Sequence, residues 1–292
     1  MPIVRLPGRG VVSVAGREAR ALLDRLVTCD MDPVSPGTAR FGALLSPQGK
    51  VLADFLVFGP GGVDEEAFLL DVPATCAADL VKRLNLYRLR ARVDICDRSG
   101  ELDIIAGWQE ALTPKGAIVA APDPRWAALG WRAVFAADGN SPAGPDGEAA
   151  YHAHRIALGV PEAGLDFPLG EAFPHEALMD QLGGVDFGKG CYVGQEVVSR
   201  MQHRGTARTR IVSVRYEGEG AAPGTEVTAG ERVLGRTGTA SVGRGFAMMR
   251  LDRTAEALAA GMPVLADGRS VRFEKPDWVR FPYPGEIGAA VA

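Results

Sequence analysis

The sequence predicts an α+β fold that gives way to an all-β C-terminal domain. Up to about residue 210, apolar runs of strand length alternate with stretches at helical spacing. Beyond that point, short apolar runs recur between tight turns. At 292 residues the chain is long enough for two or three packed units rather than one small core. The expected division is a region 1–210 of two α+β subdomains, followed by a β-barrel domain over 211–292.

Each element has its own signal. Gly16–Val27 sets Leu22, Leu23, Leu26 and Val27 at helical spacing, which predicts an amphipathic helix. Phe41–Leu45 and Val51–Phe58 flank Ser46-Pro47-Gln48-Gly49 and read as a hairpin. Ala67–Val72 reads as a strand. Pro73 suits a helix start, because its missing N–H has no intrahelical partner to lose, and a helix over Ala74–Leu86 follows. Arg88–Ile95 alternates, with Leu89, Ala91, Val93 and Ile95 on one side, and predicts a half-buried strand. Ala136–Ala150 contains Asn140, Ser141, Pro142, Gly144 and Pro145 and reads as a surface loop. Helices are expected at Tyr151–Leu158, at His175–Leu182 closed by Gly183-Gly184, and at Gly194–His203. Strands are expected at Ile211–Tyr216, Glu226–Thr228, Val233–Thr239, Phe246–Leu251 and Val271–Glu274, with turns at Ala229-Gly230 and Asp267-Gly268.

Composition excludes several classes. A net charge of −4 argues against a general phosphate-backbone binder, so direct nucleic-acid binding is not expected. No apolar run approaches the roughly 20 residues that span a bilayer, so no membrane partner is expected. Cys29, Cys76, Cys96 and Cys191 lie far apart without a Cys-x-x-Cys, which points to a reducing compartment. Met1–Arg9 has no apolar signal core. The expectation is a cytoplasmic protein.

The stretch Tyr151–Arg210 holds all four histidines (His152, His154, His175, His203) and Cys191. Gly188, Gly190 and Gly194 bracket the cysteine, so the backbone there can approach a ligand closely. A helix N-terminus and Lys189 beside Cys191 would both favour the thiolate, the environment of a reactive cysteine. A buried structural thiol is the plain alternative, and it is the reading for Cys76 and Cys96 on strongly patterned elements. His152 and His154 lack further ligands at metal spacing, so no metal site is read.

Lys189-Gly-Cys191-Tyr-Val-Gly-Gln-Glu196, followed by Arg200 and Arg204-Gly205, resembles the signature of the YgfZ/GcvT-like folate-binding family, relatives of the glycine cleavage aminomethyltransferase. Arg155-Ile156 to Gly159-Val160-Pro161, Phe173-Pro-His-Glu176, Gly184-Val-Asp-Phe187, Leu26-Val-Thr-Cys-Asp30 and the stretch from Leu44 to Phe58 extend the likeness. The resemblance implies a ring of antiparallel-sheet α+β domains with a C-terminal β-barrel, holding tetrahydrofolate or a one-carbon derivative. It implies that Glu176 faces the pterin, whose paired N–H edge a carboxylate can accept bidentately; a helix-start acid is the alternative. Tyr151 either stacks on the heterocycle or packs in a core. Asp54, an acid within an apolar strand, resembles the carboxylate that assists transfer, unless its strand exposes alternate residues. Glu196, Arg200 and Arg204 follow i, i+4, i+8 spacing. They form either a surface ladder or, with Arg208 and Arg210, an anion-binding patch. Carried over whole, the likeness makes Cys191, Lys189 and Asp54 the reacting set, and Glu176, Tyr151, Tyr192, Gln195, Glu196 and Arg204 the cofactor-binding set. The Lys-Gly-Cys-Tyr segment is shared with the YgfZ-type proteins and absent from the aminomethyltransferase. It therefore implies a role with iron–sulfur enzymes or assembly proteins, tRNA-modifying enzymes included; a one-carbon transferase is the alternative.

Overall fold

The structure, a computed structural model, describes residues 2–61, 67–109, 115–139, 142, 144, 147–205 and 207–286. Asn140, Ser141 and Pro145 of the expected loop lie outside the described residues. The chain forms two compact units, Met1–Tyr151 with Leu182–Ser199, and His152–Gln181 with Arg200–Ala292.

The first unit holds strands β1 (Ile3–Arg5), β2 (Arg9–Ala15), β3 (Ala39–Leu45), β4 (Val51–Phe58), β5 (Phe68–Pro73), β6 (Asp94–Asp97), β7 (Leu102–Gly107), β8 (Val119–Pro122) and β9 (Trp131–Ala136). They make a five-stranded sheet, ordered β3-β4-β5-β2-β6, and a four-stranded sheet, ordered β1-β7-β9-β8, both antiparallel throughout. Helices α1 (Ala19–Leu26) and α2 (Ala77–Arg88) share a core with Val12, Val14, Phe55, Val57, Leu70 and Val72 of the larger sheet. Leu22, Leu23 and Leu26 form the buried stripe of α1, each contributing about 1.5–3 kcal/mol through apolar burial. The opposite sheet face carries Asp71 of β5, which Arg132 of β9 meets at 2.8 Å and so ties the two sheets together.

Helices α3 (Gly147–Ala157) and α4 (Gln195–Arg204) each begin in the first unit and end in the second. The second unit is built on strands β10 (Thr209–Arg215), β11 (Glu226–Ala229), β12 (Arg232–Ser241), β13 (Arg244–Arg250), β14 (Leu265–Ala266), β15 (Arg269–Ser270) and β16 (Arg272–Phe273), with helix α5 (Leu251–Ala259). Its seven-stranded antiparallel sheet, ordered β15-β14-β11-β12-β13-β10-β16, is the nearly closed C-terminal barrel.

Two expected elements are corrected. Arg88–Ile95 is not one strand: α2 runs to Arg88, Leu89 turns with φ at 49°, and pairing resumes only at Asp94. Val93 and Ile95 are buried as the alternation requires, but Leu89 is exposed. His175–Leu182 is a chain of turns rather than a helix, because Leu178 at φ 61° interrupts the helical bonding. Strand β2 had no alternation to read, since both its faces are buried. Helix α5 follows β13 without a break.

Candidate functional site

The segment carrying Cys191 is pinned on both sides of the thiol. Before it, Thr28 is fully buried; its hydroxyl donates to the Gly184 carbonyl at 2.5 Å and accepts the Ala43 N–H at 2.8 Å. The Thr28 carbonyl accepts the Asp186 N–H at 2.8 Å, and the Asp186 carboxylate turns the chain by accepting the N–H groups of Gly188 and Lys189. The Lys189 side chain then runs inward, 2% exposed. Its ammonium reaches the Asp24 carboxylate at 2.9 Å and the carbonyls of Asp24, Val27 and Cys29 at 2.7, 3.0 and 2.7 Å. Lys189 is therefore a positioning residue that ties the segment to the end of α1. Burial, the largest influence on Asp24, works upward; the Lys189 hydrogen bond, the Met31 N–H and the Lys189 charge outweigh it and hold the carboxyl below its usual range.

After the thiol, Tyr192 is buried and the Lys189 ammonium lies 5.8 Å from its ring centroid. Burial, followed by the Asp186 charge, pushes the Tyr192 hydroxyl up to about 12. Gly194 has φ 81°, and a Cβ there would lie 2.5 Å from the Ser46 carbonyl oxygen in the β3–β4 turn, so glycine is required. Between these anchors Gly190 and Cys191 stand in solvent. Cys191 is the exposed member of the four cysteines. Cys29 is buried against Gly42, and burial raises its thiol to about 12, which makes it a structural thiol.

Glu176 lies in the second unit, half-buried, with one carboxylate oxygen accepting the Phe173 N–H at 2.9 Å. Its neighbour His175 is 2% exposed, with Nε2 3.0 Å from the Gln202 amide oxygen. Desolvation lowers the His175 pKa against the opposing pull of that hydrogen bond. Arg210 is buried: it donates to the His175 carbonyl at 3.0 Å and forks onto Asp180 at 2.9 and 3.0 Å. It therefore leaves the expected anion patch, while Glu196, Arg200, Arg204 and Arg208 are exposed and Gln195 is half-buried.

Asp54 lies on β4 opposite Ala43 and is 4% exposed, so its strand does not turn it to water. Tyr151 is not placed for stacking. Its ring is 1% exposed, and its hydroxyl accepts from Arg132 and, at 3.0 Å, from Arg125. These arginines belong to a buried network in which Arg125 forks onto Asp123 at 2.7 and 3.0 Å, while Arg9 and Arg132 share Asp71 at 2.6 and 2.8 Å. Arg9, Arg125 and Arg132 went unread in the sequence; Asp71 and Arg132 stand inside strand-like apolar runs and were the signal, whereas Arg9 opens a strand and Arg125 follows Pro122-Asp123-Pro124. No three His, Cys, Asp or Glu side chains gather as a metal site among the described residues.

Residues 8–107 match the GCVT N-terminal domain family, and residues 208–281 match the C-terminal β-barrel domain of CAF17. The fold is similar to that of the glycine cleavage system aminomethyltransferase T from Bartonella henselae, with a TM-score of 0.73 over 97% of this chain and 87% of that one, at 16% identity. Among curated relatives, the mitochondrial iron–sulfur cluster assembly factor IBA57 of Homo sapiens is 33% identical, covering 82% of this chain and 75% of its own length. The mitochondrial IBA57 homolog of Mycosarcoma maydis is 34% identical over 76% of this chain, which spans 59% of that protein's length. The expected cytoplasmic location is thereby overturned, since these relatives are mitochondrial proteins. Sparse cysteines mark a reducing compartment, and the cytoplasm is not the only one. The resemblance to YgfZ-type proteins narrows in the same way, and the chain belongs to the IBA57 family of GcvT-like proteins, whose curated members are named iron–sulfur cluster assembly factors.

Proposed function

We propose that this protein is an iron–sulfur cluster assembly factor that binds a reduced folate and presents Cys191 to the cluster or to the partner that carries it. The observation that carries the reading is the exposed thiol on a segment held by Lys189, Tyr192 and Gly194. Rigid anchors around a solvent-facing nucleophile are what a transfer site needs, because the thiol meets its partner without first being ordered. One cysteine cannot hold a cluster alone, so the remaining ligands belong to the partner. As an iron–thiolate bond forms, the Cys191 Sγ gives its proton to solvent. The enzymes served include those that modify tRNA.

Glu176 fits the pterin of tetrahydrofolate or a one-carbon derivative, having one oxygen held by Phe173 and the other available to a ring N–H. Tyr151 does not fit the stacking role, because two arginines fix its hydroxyl within a core. A bound tetrahydrofolate supplies ring nitrogens that carry one-carbon units. Asp54 favours a second reading, a folate-dependent aminomethyltransferase, since a buried carboxylate can orient an amine electrostatically. In that reading Asp54→Asn abolishes turnover of an aminomethyl donor with tetrahydrofolate.

Two measurements test the main reading. In cells lacking the protein, the wild-type chain restores iron–sulfur enzyme activity and Cys191→Ser, equally folded, does not; full rescue by the variant removes the thiol from the function. Calorimetric titration with tetrahydrofolate gives binding that Glu176→Ala loses. An absence of heat with the wild type removes folate from the reading and leaves the thiol role standing.

A further inference from the structure

The end of α2 carries apolar side chains that packing does not use. The helix buries Ala77, Leu80 and Leu84, an i, i+3, i+7 stripe. Leu86 falls off that stripe and is 76% exposed, and Leu89, just past the helix, is 86% exposed. Leu89 also sits at φ 49°, ψ −108°, in a turn closed by the Ala91 N–H donating to the Arg88 carbonyl at 2.9 Å. That is the first central position of a type II′ turn, where glycine is the usual residue. A leucine is held there against its backbone preference with its side chain in water.

Cations outnumber acids around it: Asp79 and the exposed Asp94 lie on the same stretch, and Glu18 meets its backbone. Lys82, Arg83, Arg88, Arg90 and Arg92 crowd this end of a chain whose net charge is −4. Arg83 pairs with Asp79 at 2.5 Å and Arg88 donates to the Val93 carbonyl at 3.1 Å. Lys82, Arg90 and Arg92 are exposed and make no ion pair among the described residues; Glu18 meets only the backbone N–H of Arg92.

We propose that the end of α2 docks an acidic segment of a partner protein, with carboxylates against Lys82, Arg90 and Arg92 and apolar side chains against Leu86 and Leu89. Charge complementarity selects the partner, and the leucine pair supplies the dry centre that a charged rim lacks. An anionic bilayer fits less well: the chain as a whole is negative, and two leucines offer less apolar surface than a single acyl chain, itself a marginal anchor. A short acidic segment responds instead to the cations within a screening length of about 8 Å. The surface stands apart from the folate reading and does not depend on it.

Fluorescence anisotropy of the full chain with a labelled synthetic peptide of interleaved glutamate and leucine tests this. Binding is expected that weakens about tenfold between roughly 50 and 200 mM salt. It is expected to be lost in the Arg90→Glu, Arg92→Glu double variant. Leu89→Gly separates docking from architecture: glycine suits φ 49°, so its Tm rises while peptide binding falls about tenfold or more. Absence of peptide binding by the wild type, or equal binding by Leu89→Gly, overturns the proposal. So does pelleting with phosphatidylserine vesicles, or self-association in sedimentation velocity, that Leu89→Gly abolishes; the first assigns the surface to lipid and the second to another copy of the chain.

Discussion

Lys189 offers three N–H donors, and four oxygens stand within 3.0 Å of its nitrogen. Lys189→Met keeps the stem and removes the charge, stranding the Val27 and Cys29 carbonyls. The expected loss is about 3 kcal/mol in urea unfolding, whereas Cys191→Ser changes stability by less than about 0.5 kcal/mol because its side chain touches little. The same pair sets an acid limb. Folded Asp24 titrates below its ordinary 3.8, so its contribution is complete above that value and is lost as pH falls through the lower folded one. His175 acts in the same direction at higher pH. Its folded pKa lies below 6.5, so the unfolded state takes up the proton first and stability declines as pH drops from 6.5 toward the folded value. Unfolding titrations of His175→Asn are expected to lack that decline. At this scale the sequence singled out Cys191, left its exposure open and misread Lys189: a lysine beside a cysteine shows proximity along the chain, and only the fold shows that its ammonium turns inward to the end of α1.

Among elements, α1, the β3–β4 hairpin, α4 and the long barrel strands were legible because their apolar spacing matches one period. The turn at Leu89 and the turns around Leu178 were not, since both residues hold a left-handed φ that leucine ordinarily avoids and no glycine announced it. Gly194 is the converse case, a glycine whose purpose appears only against its neighbour. Gly194→Ala must either move the β3–β4 turn or leave φ 81°. A loss of about 2 kcal/mol or more is expected by thermal unfolding. Faster labelling of Cys29 by a small alkylating agent should accompany it as the hairpin loosens.

Across the whole molecule, each unit contains a buried ion cluster that hydropathy could not reveal. In the first, Asp71 and Asp123 hold Arg9, Arg125 and Arg132; in the second, Arg155 meets Asp166 at 2.5 Å, Glu162 at 3.3 Å and the Thr239 hydroxyl at 3.0 Å. Arg155→Met leaves two buried carboxylates without their cation, and a fall in Tm of roughly 10 °C is expected. The α+β then all-β order was readable from texture, and the broad GcvT-like likeness from Lys189–Glu196 with the shorter matching segments, but the IBA57 family within it came only from the relatives. The interleaving of the units was not, because no composition change marks residues 152–181 as belonging with the barrel. That interleaving orders events in time. The first unit needs residues 182–199, which leave the ribosome only after the thirty residues from 152 to 181. At about 5–20 residues per second, that is a delay of roughly 2–6 s. During it, the carbonyls of Val27 and Cys29 await an ammonium not yet synthesised. The thiol-bearing segment is thus the last piece of the first unit to be made, and Cys191 reaches its displayed position only when the unit around it is complete.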